Sequence, residues 1–500
     1  MPAKTSAQLN YSRPLDVHRW SDYPVVNDFV DKIWEQFLAA EFINSKSRGK
    51  RAKTPSKGQF KVLLLDLFVA WKEDPELLIG VSLTRSAFRP GSRYNALHIS
   101  YKIVEVIHYL KKIGLIDMHL GSESPRRVTR IWPTEQLKEI FNKTNFSLLM
   151  FRPHEKAEVI ILNNKELNTK DELSDKAKPQ PYEDQDYAEI PRMREELQRY
   201  NELLWKSFID LQDQETTLYL HQFWNRSKNR RDVRRLTIGH QNKFVKRVFY
   251  RGCWLLGGRF HGGFWQQIDK EKRKRIRIND SSTVELDFSG LHLNIAYALE
   301  GLQSPSNDPY TVEPLIGYSP EQQRQWLKSL VLVVINAKNE KEAFKAFRSE
   351  QSAGSVAKRF SDQKISILLE EFKRKHRPIE HYLCSDKGVR LMNIDGAIVA
   401  KVLNHFTNIR EPILSVHDSF ICRLECKDEV VRVMNEIVSD MLGGYIVGIK
   451  TNQNSELLTL KNKGIRLESS QEIENHGLAC FGYLSRLKEH IAWVNGDKEF

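Results

Sequence analysis

Between Val284 and Asp287 apolar and polar positions alternate, Val284 and Leu286 against Glu285 and Asp287, which is the period of a half-buried strand. After Gly290 the period changes, and Leu291, Ile295, Ala298 and Leu299 recur at helical spacing. The pattern predicts a strand that ends on a carboxylate and passes at once into a helix. Asp287 is then either held at the mouth of a cleft or used to cap the helix. Downstream, the apolar runs Ile413–Val416 and Phe420–Leu424 flank His417-Asp418 and predict a β-hairpin with an acid at its tip. His-Asp also serves as a plain turn former. Between the two acids, Arg324, Lys328, Leu332 and Asn336 are spaced by four and form one slowly drifting stripe on a helix. Two cations, an apolar side chain and an amide suit a nucleoside triphosphate; a solvated basic face has the same pattern.

The rest of the chain divides by the same reading. Residues 1–57 form a basic leader, with a helix from Asp28 to Phe42 followed by Lys46, Arg48, Lys50, Arg51 and Lys53, a flexible arm or solvated linker. In 58–163 a buried helix is expected over Phe60–Trp71 and a second over Ser100–Ile113, capped by Ser100 and ended by Gly114. Strands follow at Leu115–Leu120 and Val128–Trp132, joined by a polar tip that carries Arg126 and Arg127. A helix followed by a basic-tipped hairpin resembles a small winged helix-turn-helix domain. Such domains bind DNA with the wing's cations on phosphates, or serve as protein-interaction modules. Residues 164–189 are polar and acidic and read as a linker. Helical pattern resumes over Pro191–Gln212, so 190–254 reads as a helical, basic region. A helix over Asp428–Leu442 follows the hairpin, and 451–500 is an extension without an assigned role.

Charge sharpens this picture. A net charge of +13 favours a polyanionic partner, nucleic acid ahead of membrane. The most basic stretch, Arg226 to Arg277, includes Arg247 and Arg251, interleaves Phe249, Trp254 and Phe260, and is preceded by Trp224. Cations for phosphates and flat side chains for bases or sugars suit a nucleic-acid channel, with a solvated surface as the alternative. Five scattered cysteines point to a reducing cytoplasm without a disulfide framework, and Cys422-x3-Cys426 lacks a second pair at zinc spacing. No signal peptide or bilayer-length apolar run is present, so no membrane partner is expected.

The ordered set Asp287-Phe288-Ser289-x-Leu291-x-Leu293-x-Ile295, Arg324-x3-Lys328 and Val416-His417-Asp418-Ser419-Phe420 resembles the palm and fingers motifs of family A DNA polymerases and the single-subunit phage-type RNA polymerases. The resemblance covers roughly Leu255 to Leu442. It implies an α+β polymerase right hand, with an antiparallel palm sheet and helical fingers and thumb. Palm would occupy 255–302 and 389–450, and fingers 303–388. Asp287, Asp418 and the Phe288 carbonyl would then hold two Mg²⁺, with Mn²⁺ able to substitute. Arg324 and Lys328 would hold the triphosphate, and Lys328 would protonate the departing pyrophosphate. Leu332, Asn336 and His292 would face the nucleotide; Arg259, in a Gly257-Gly258-Arg259-Phe260 element, would face the nucleic acid with His417 and Asn393. Two departures stand out: the DNA polymerases carry Glu where this chain has His292, and an aromatic where it has Asn336, so sugar choice is open. No acidic exonuclease motif precedes the palm, so proofreading is not expected.

The leading expectation is a DNA-dependent DNA polymerase acting on template, primer and nucleoside triphosphates. Its front domain would tether it to a DNA site or a replication partner, as for a mobile element. A primase or single-subunit RNA polymerase is the second reading, supported by Ser419-Phe420, Gly258-Arg259 and His292. A non-catalytic DNA-binding replication initiator is the third.

Overall fold

A computed structural model describes residues 4–43, 57–123, 127–164, 179–225, 230–305, 308–313, 317–352, 354–453 and 479–496. The leader's basic arm and Arg126 lie outside the described residues.

Two hydrophobic cores organise the chain. The front one is built on the helix Lys57–Glu73, whose Phe60, Leu63, Leu64, Leu67 and Phe68 are buried almost completely. Its sheet has the order Ser12–Pro14, Leu78–Val81, Thr129–Pro133, Ile116–His119. Leader and compact domain are therefore one unit, because Ser12–Pro14 pairs in parallel with Leu78–Val81. The expected Asp28–Phe42 helix runs instead as Pro24–Phe37 and Ala39–Ile43. The second expected helix begins at Lys102, and the Ser100 hydroxyl accepts from the Lys102 backbone N–H at 3.4 Å and from Gln59 Nε2 at 2.8 Å. Gly114 ends it at φ +77°, a left-handed conformation that glycine adopts without strain. The hairpin Ile116–His119/Thr129–Pro133 is antiparallel as expected.

The larger core surrounds a six-stranded antiparallel sheet in the order Leu414–Val416, Ser419–Arg423, Ser281–Phe288, Ile276–Ile278, Ile209–Leu211, with Ile449–Gln453 also pairing with Ser281–Phe288. The strand Ser281–Phe288 is thus flanked on both sides near its end. The helices Leu291–Leu299, Gly388–Asn408 and Lys427–Met441 carry apolar residues of this core. The segment 303–388 holds the helices Pro320–Val334, Glu340–Glu350 and Asp362–Lys375.

Residues 190–254 depart from the expected helical region. The helix Ile190–Lys206 gives way to strands Ile209–Leu211, Leu218–Asn225, Arg230–Thr237 and Val245–Tyr250. Leu218–Asn225 and Arg230–Thr237 pair with each other as a two-stranded ribbon. The composition explains this, since Leu, Tyr, Phe and Trp in Leu218–Trp224 favour strand, and a helix cannot persist through Asp213-Gln214-Glu215-Thr216-Thr217 without apolar anchors. The expected linker is packed from Pro179 onward, where Tyr182 is buried and donates its hydroxyl to the Ile160 carbonyl at 2.9 Å. In the extension, Ile449–Gln453 completes the sheet and Phe481–Asn495 joins both units: Arg486 pairs with Asp210 at 2.7 Å, and the Trp493 indole donates to Tyr23 at 2.8 Å. Among the described residues no helix is long and apolar enough to cross a membrane.

Candidate active site

Asp287 is the penultimate residue of its strand and lies directly opposite Ser419 on one side and Lys450 on the other. Asp418 immediately precedes Ser419, in the turn between Leu414–Val416 and Ser419–Arg423. The hairpin register therefore brings the two acids together, although 131 positions separate them in the sequence. Asp287 does not cap the following helix: the cap position is Gly290, at φ +64°. His417, at φ +55°, takes the strained turn position beside Asp418. The Ser419 hydroxyl, buried beneath the turn, bonds both Glu285 Oε1 at 2.9 Å and the Val416 carbonyl at 3.0 Å. Glu285 is in turn paired with Arg273 at 3.0 Å, so its charge is already engaged.

Burial first, then the charges of Asp418 and Glu285, push the Asp287 carboxyl up to about 6, while Lys450 and Lys328 pull it down. Tyr310, buried, is pushed up to about 12 by burial first and then by the charges of Asp308, Asp418 and Asp287.

The helix Pro320–Val334 carries Lys328, which is exposed and whose charge lowers the Asp287 carboxyl. Arg324 forms a two-point ion pair with Asp308, at 2.9 and 2.7 Å. The loop carrying Asp308 is fastened by Lys375, which donates to the carbonyls of Asp308 and Thr311 at 2.7 Å. His376, fully buried, bonds the Pro309 carbonyl and the Tyr297 hydroxyl at 2.9 Å. Leu332 is 59% exposed on the same helix. Asn336 falls just past the helix end, where its amide donates to the Leu332 carbonyl at 2.9 Å. A Cβ at Gly388 would lie 2.2 Å from Asn336 Oδ1, so the glycine makes room for this asparagine.

A second cluster joins Asp395, Arg259 and His292. Asp395 is fully buried on the helix Gly388–Asn408 and accepts from Arg259 Nε at 3.0 and 3.1 Å, with His292 Nε2 at 2.6 Å. Burial opposes its charge, but Arg259 and His292 hold its carboxyl below the usual range. The same helix crosses the strand Cys253–Gly262 closely, since a Cβ at Gly396 would sit 2.4 Å from the Gly258 carbonyl. Asn393 donates to the carbonyls of Trp254 and Gly257 at 3.1 and 3.3 Å. Asp395 lies two positions from Asn393 in the sequence, yet its role as partner to Arg259 and His292 emerges only from the fold.

The remaining expected nucleic-acid contacts are less open than their charge suggests. Arg247 is buried between the Phe249 and Phe260 rings and donates to the Gly258 carbonyl at 2.8 Å; burial pushes its guanidinium down to about 10. That placement corrects its reading as a phosphate contact: it braces the glycine turn. Arg251 forms a two-point pair with Asp386 at 2.7 and 2.8 Å. Arg127 bonds Ser6 and Asn10 at 3.0 Å, on the front unit's own N-terminal segment. The Phe288 side chain is 2% exposed, at the strand's last position. Sequence pattern gives no role to Lys450, which lies at the end of the expected palm segment 389–450. The apolar positions Tyr445, Val447 and Ile449 were the available signal for a further strand.

No family model matches the sequence, and no curated protein matches it. Among solved structures, the chain is similar to the polymerase domain of Pol1 from M. smegmatis in complex with DNA primer-template and dNTP, with a TM-score of 0.29 and 10% identity. The match covers 42% of this chain and 47% of that one, so less than half of the neighbour's length is spanned.

Proposed function

We propose that this protein is a template-directed nucleotidyltransferase that adds nucleotides to a 3′-hydroxyl, a DNA-dependent DNA polymerase of family A type without a proofreading site. The observation that carries the reading is the adjacency of Asp287 and Asp418 at the ends of paired antiparallel strands, with Lys328 acting on the same carboxylate. A nucleotidyl transfer needs little else from protein: carboxylates for divalent ions, an aligned hydroxyl and cations for the triphosphate.

The donor set fits Mg²⁺. Among the described residues no group of three or more metal-ligating side chains exists. Mg²⁺ is commonly held by one or two carboxylates, with water and substrate phosphates completing the shell. The like charges that raise the Asp287 carboxyl are what a divalent ion would relieve. Asp287, Asp418 and the Phe288 carbonyl would hold two such ions. When bound they supply charge neutralisation and an acidified hydroxyl. Lys328 neutralises the triphosphate and donates a proton to pyrophosphate as it leaves. Ser419 fixes the turn that carries Asp418. Arg259, oriented by Asp395, faces the nascent base pair, and the front unit acts as a winged-helix-like tether to DNA or a replication partner.

A primase or RNA polymerase reading is favoured by one observation. His292, at the position where the DNA polymerases exclude a ribose hydroxyl, is a hydrogen-bonding group tied to Asp395. Extension of a labelled primer with dNTPs or NTPs, with Asp418→Ala in parallel, tests both readings.

A further inference from the structure

We propose that Lys450 is a second triphosphate-binding cation. It would act with Lys328 to receive the β- and γ-phosphates from the side of Asp287 remote from Asp418. The proposal rests on the nucleotidyltransferase reading and deepens it.

The register places Lys450. In the antiparallel pair Ser281–Phe288/Ile449–Gln453, Lys450 is directly opposite Asp287. Residues so paired project from the same face of a sheet with Cβ atoms about 4.5–5.5 Å apart. Asp287 is opposite Ser419 on its other flank, so along this row the order runs Ser419 with the adjoining Asp418, then Asp287, then Lys450. Lys450 is exposed, and among the described residues no hydrogen bond or ion pair engages its ammonium group. Arg324, by contrast, is already tied to Asp308.

The charges polarise the site. Lys328 and Lys450 come from different elements, a helix and an outer strand, yet both act on the Asp287 carboxyl. A nucleoside triphosphate brings several negative charges, whereas a 3′-hydroxyl brings none. Lys450 makes its flank of Asp287 the triphosphate side, and the Ser419–Asp418 flank faces the primer terminus. In the transfer, the 3′-oxygen bonds to the α-phosphorus as the bond from that phosphorus to the α,β-bridging oxygen breaks. The electron pair stays on pyrophosphate, and the hydroxyl proton passes to water. Lys450 contributes charge and hydrogen bonds to the departing phosphates and transfers no proton.

The test uses the full chain with a fixed primer–template, comparing the parent, Lys450→Ala and Lys450→Arg. Three quantities are read: half-saturating nucleotide concentration in single turnovers, inhibition by added pyrophosphate, and equilibrium binding of fluorescent primer–template. Loss of one charge-assisted contact predicts that Lys450→Ala raises half-saturation about tenfold or more. It should weaken pyrophosphate inhibition in parallel and leave primer–template affinity within about twofold. Lys450→Arg should restore most of the loss. Unchanged nucleotide and pyrophosphate behaviour in Lys450→Ala, or a loss confined to primer–template binding, overturns the assignment while leaving the enzyme reading intact. Absence of Asp418-dependent incorporation in the parent overturns both.

Discussion

Arg259 and Asp395, 136 residues apart, meet in a buried ion pair: Arg259 Nε lies 3.0 and 3.1 Å from the two carboxylate oxygens, and His292 shares the carboxylate. Removing one partner of such a pair leaves an uncompensated buried charge, a cost of about 3–5 kcal/mol. Asp395→Ala should therefore lower the denaturant midpoint strongly. The Asp395 carboxyl is held below its ordinary value, so the stability it confers is present above the normal carboxylate range and is lost as pH falls through its depressed value. A loss under about 1 kcal/mol in Asp395→Ala would contradict a buried charge pair.

Asp287 gives the opposite pH dependence. Its carboxyl is raised from 3.8 to about 6, so ionisation in the folded metal-free protein is costly. The penalty is absent below the unfolded value, grows as pH rises, and is complete above about 6. Asp287→Asn should accordingly stabilise the metal-free protein by about 1–2 kcal/mol at pH 8, allowing for solvent screening, and by nothing near pH 3. The same substitution should abolish incorporation. Thermal midpoints at the two pH values, in chelator, check the first statement.

Gly396 tests how closely the helix Gly388–Asn408 must approach the glycine turn. A Cβ there would meet the Gly258 carbonyl at 2.4 Å, against backbone that cannot swing aside. Gly396→Ala should cost about 1–3 kcal/mol and shift Arg259, whose strand would have to move. Gly301→Ala, with nothing within 4 Å but φ +69°, serves as a control for backbone strain without crowding.

Ser419 positions rather than reacts. Ser419→Ala removes the bonds to Glu285 and to the Val416 carbonyl that hold the turn. The expected stability loss is about 1 kcal/mol. Incorporation rate should fall with nucleotide half-saturation nearly unchanged, because the carboxylate moves while the phosphate-binding cations do not. A loss seen only in half-saturation would contradict this.

Legibility followed period and local spacing. The strand ending at Asp287, the His417-Asp418 hairpin and the helix bearing Lys328 were readable because two- and four-residue spacings determine which face each side chain joins. Pairing partners were not readable. Lys450 reaches Asp287 only through a register between strands more than 160 positions apart, and no local pattern encodes that. The region after Ile190–Lys206 was misread because its dense cations hide a strand alternation, so charge drew attention that the aromatic residues warranted. Arg247 shows the complementary error: a cation in a basic run is counted as surface, yet this one supports a turn from within. Asp395 was legible as a residue but not as a partner, since its burial depends on Arg259 and His292 arriving from two other elements.

The most direct test of the central claim is extension of a labelled primer on a DNA template with Mg²⁺, run with dNTPs, with NTPs and without primer, beside Asp418→Ala. The account predicts primer-dependent extension with dNTPs that disappears in Asp418→Ala, while primer–template binding persists. Primer-free ribonucleotide products would transfer the site to the primase or RNA polymerase reading. Extension that survives in Asp418→Ala, or no product under any condition from a folded protein that binds DNA, would contradict the claim that Asp287 and Asp418 form a nucleotidyl-transfer centre.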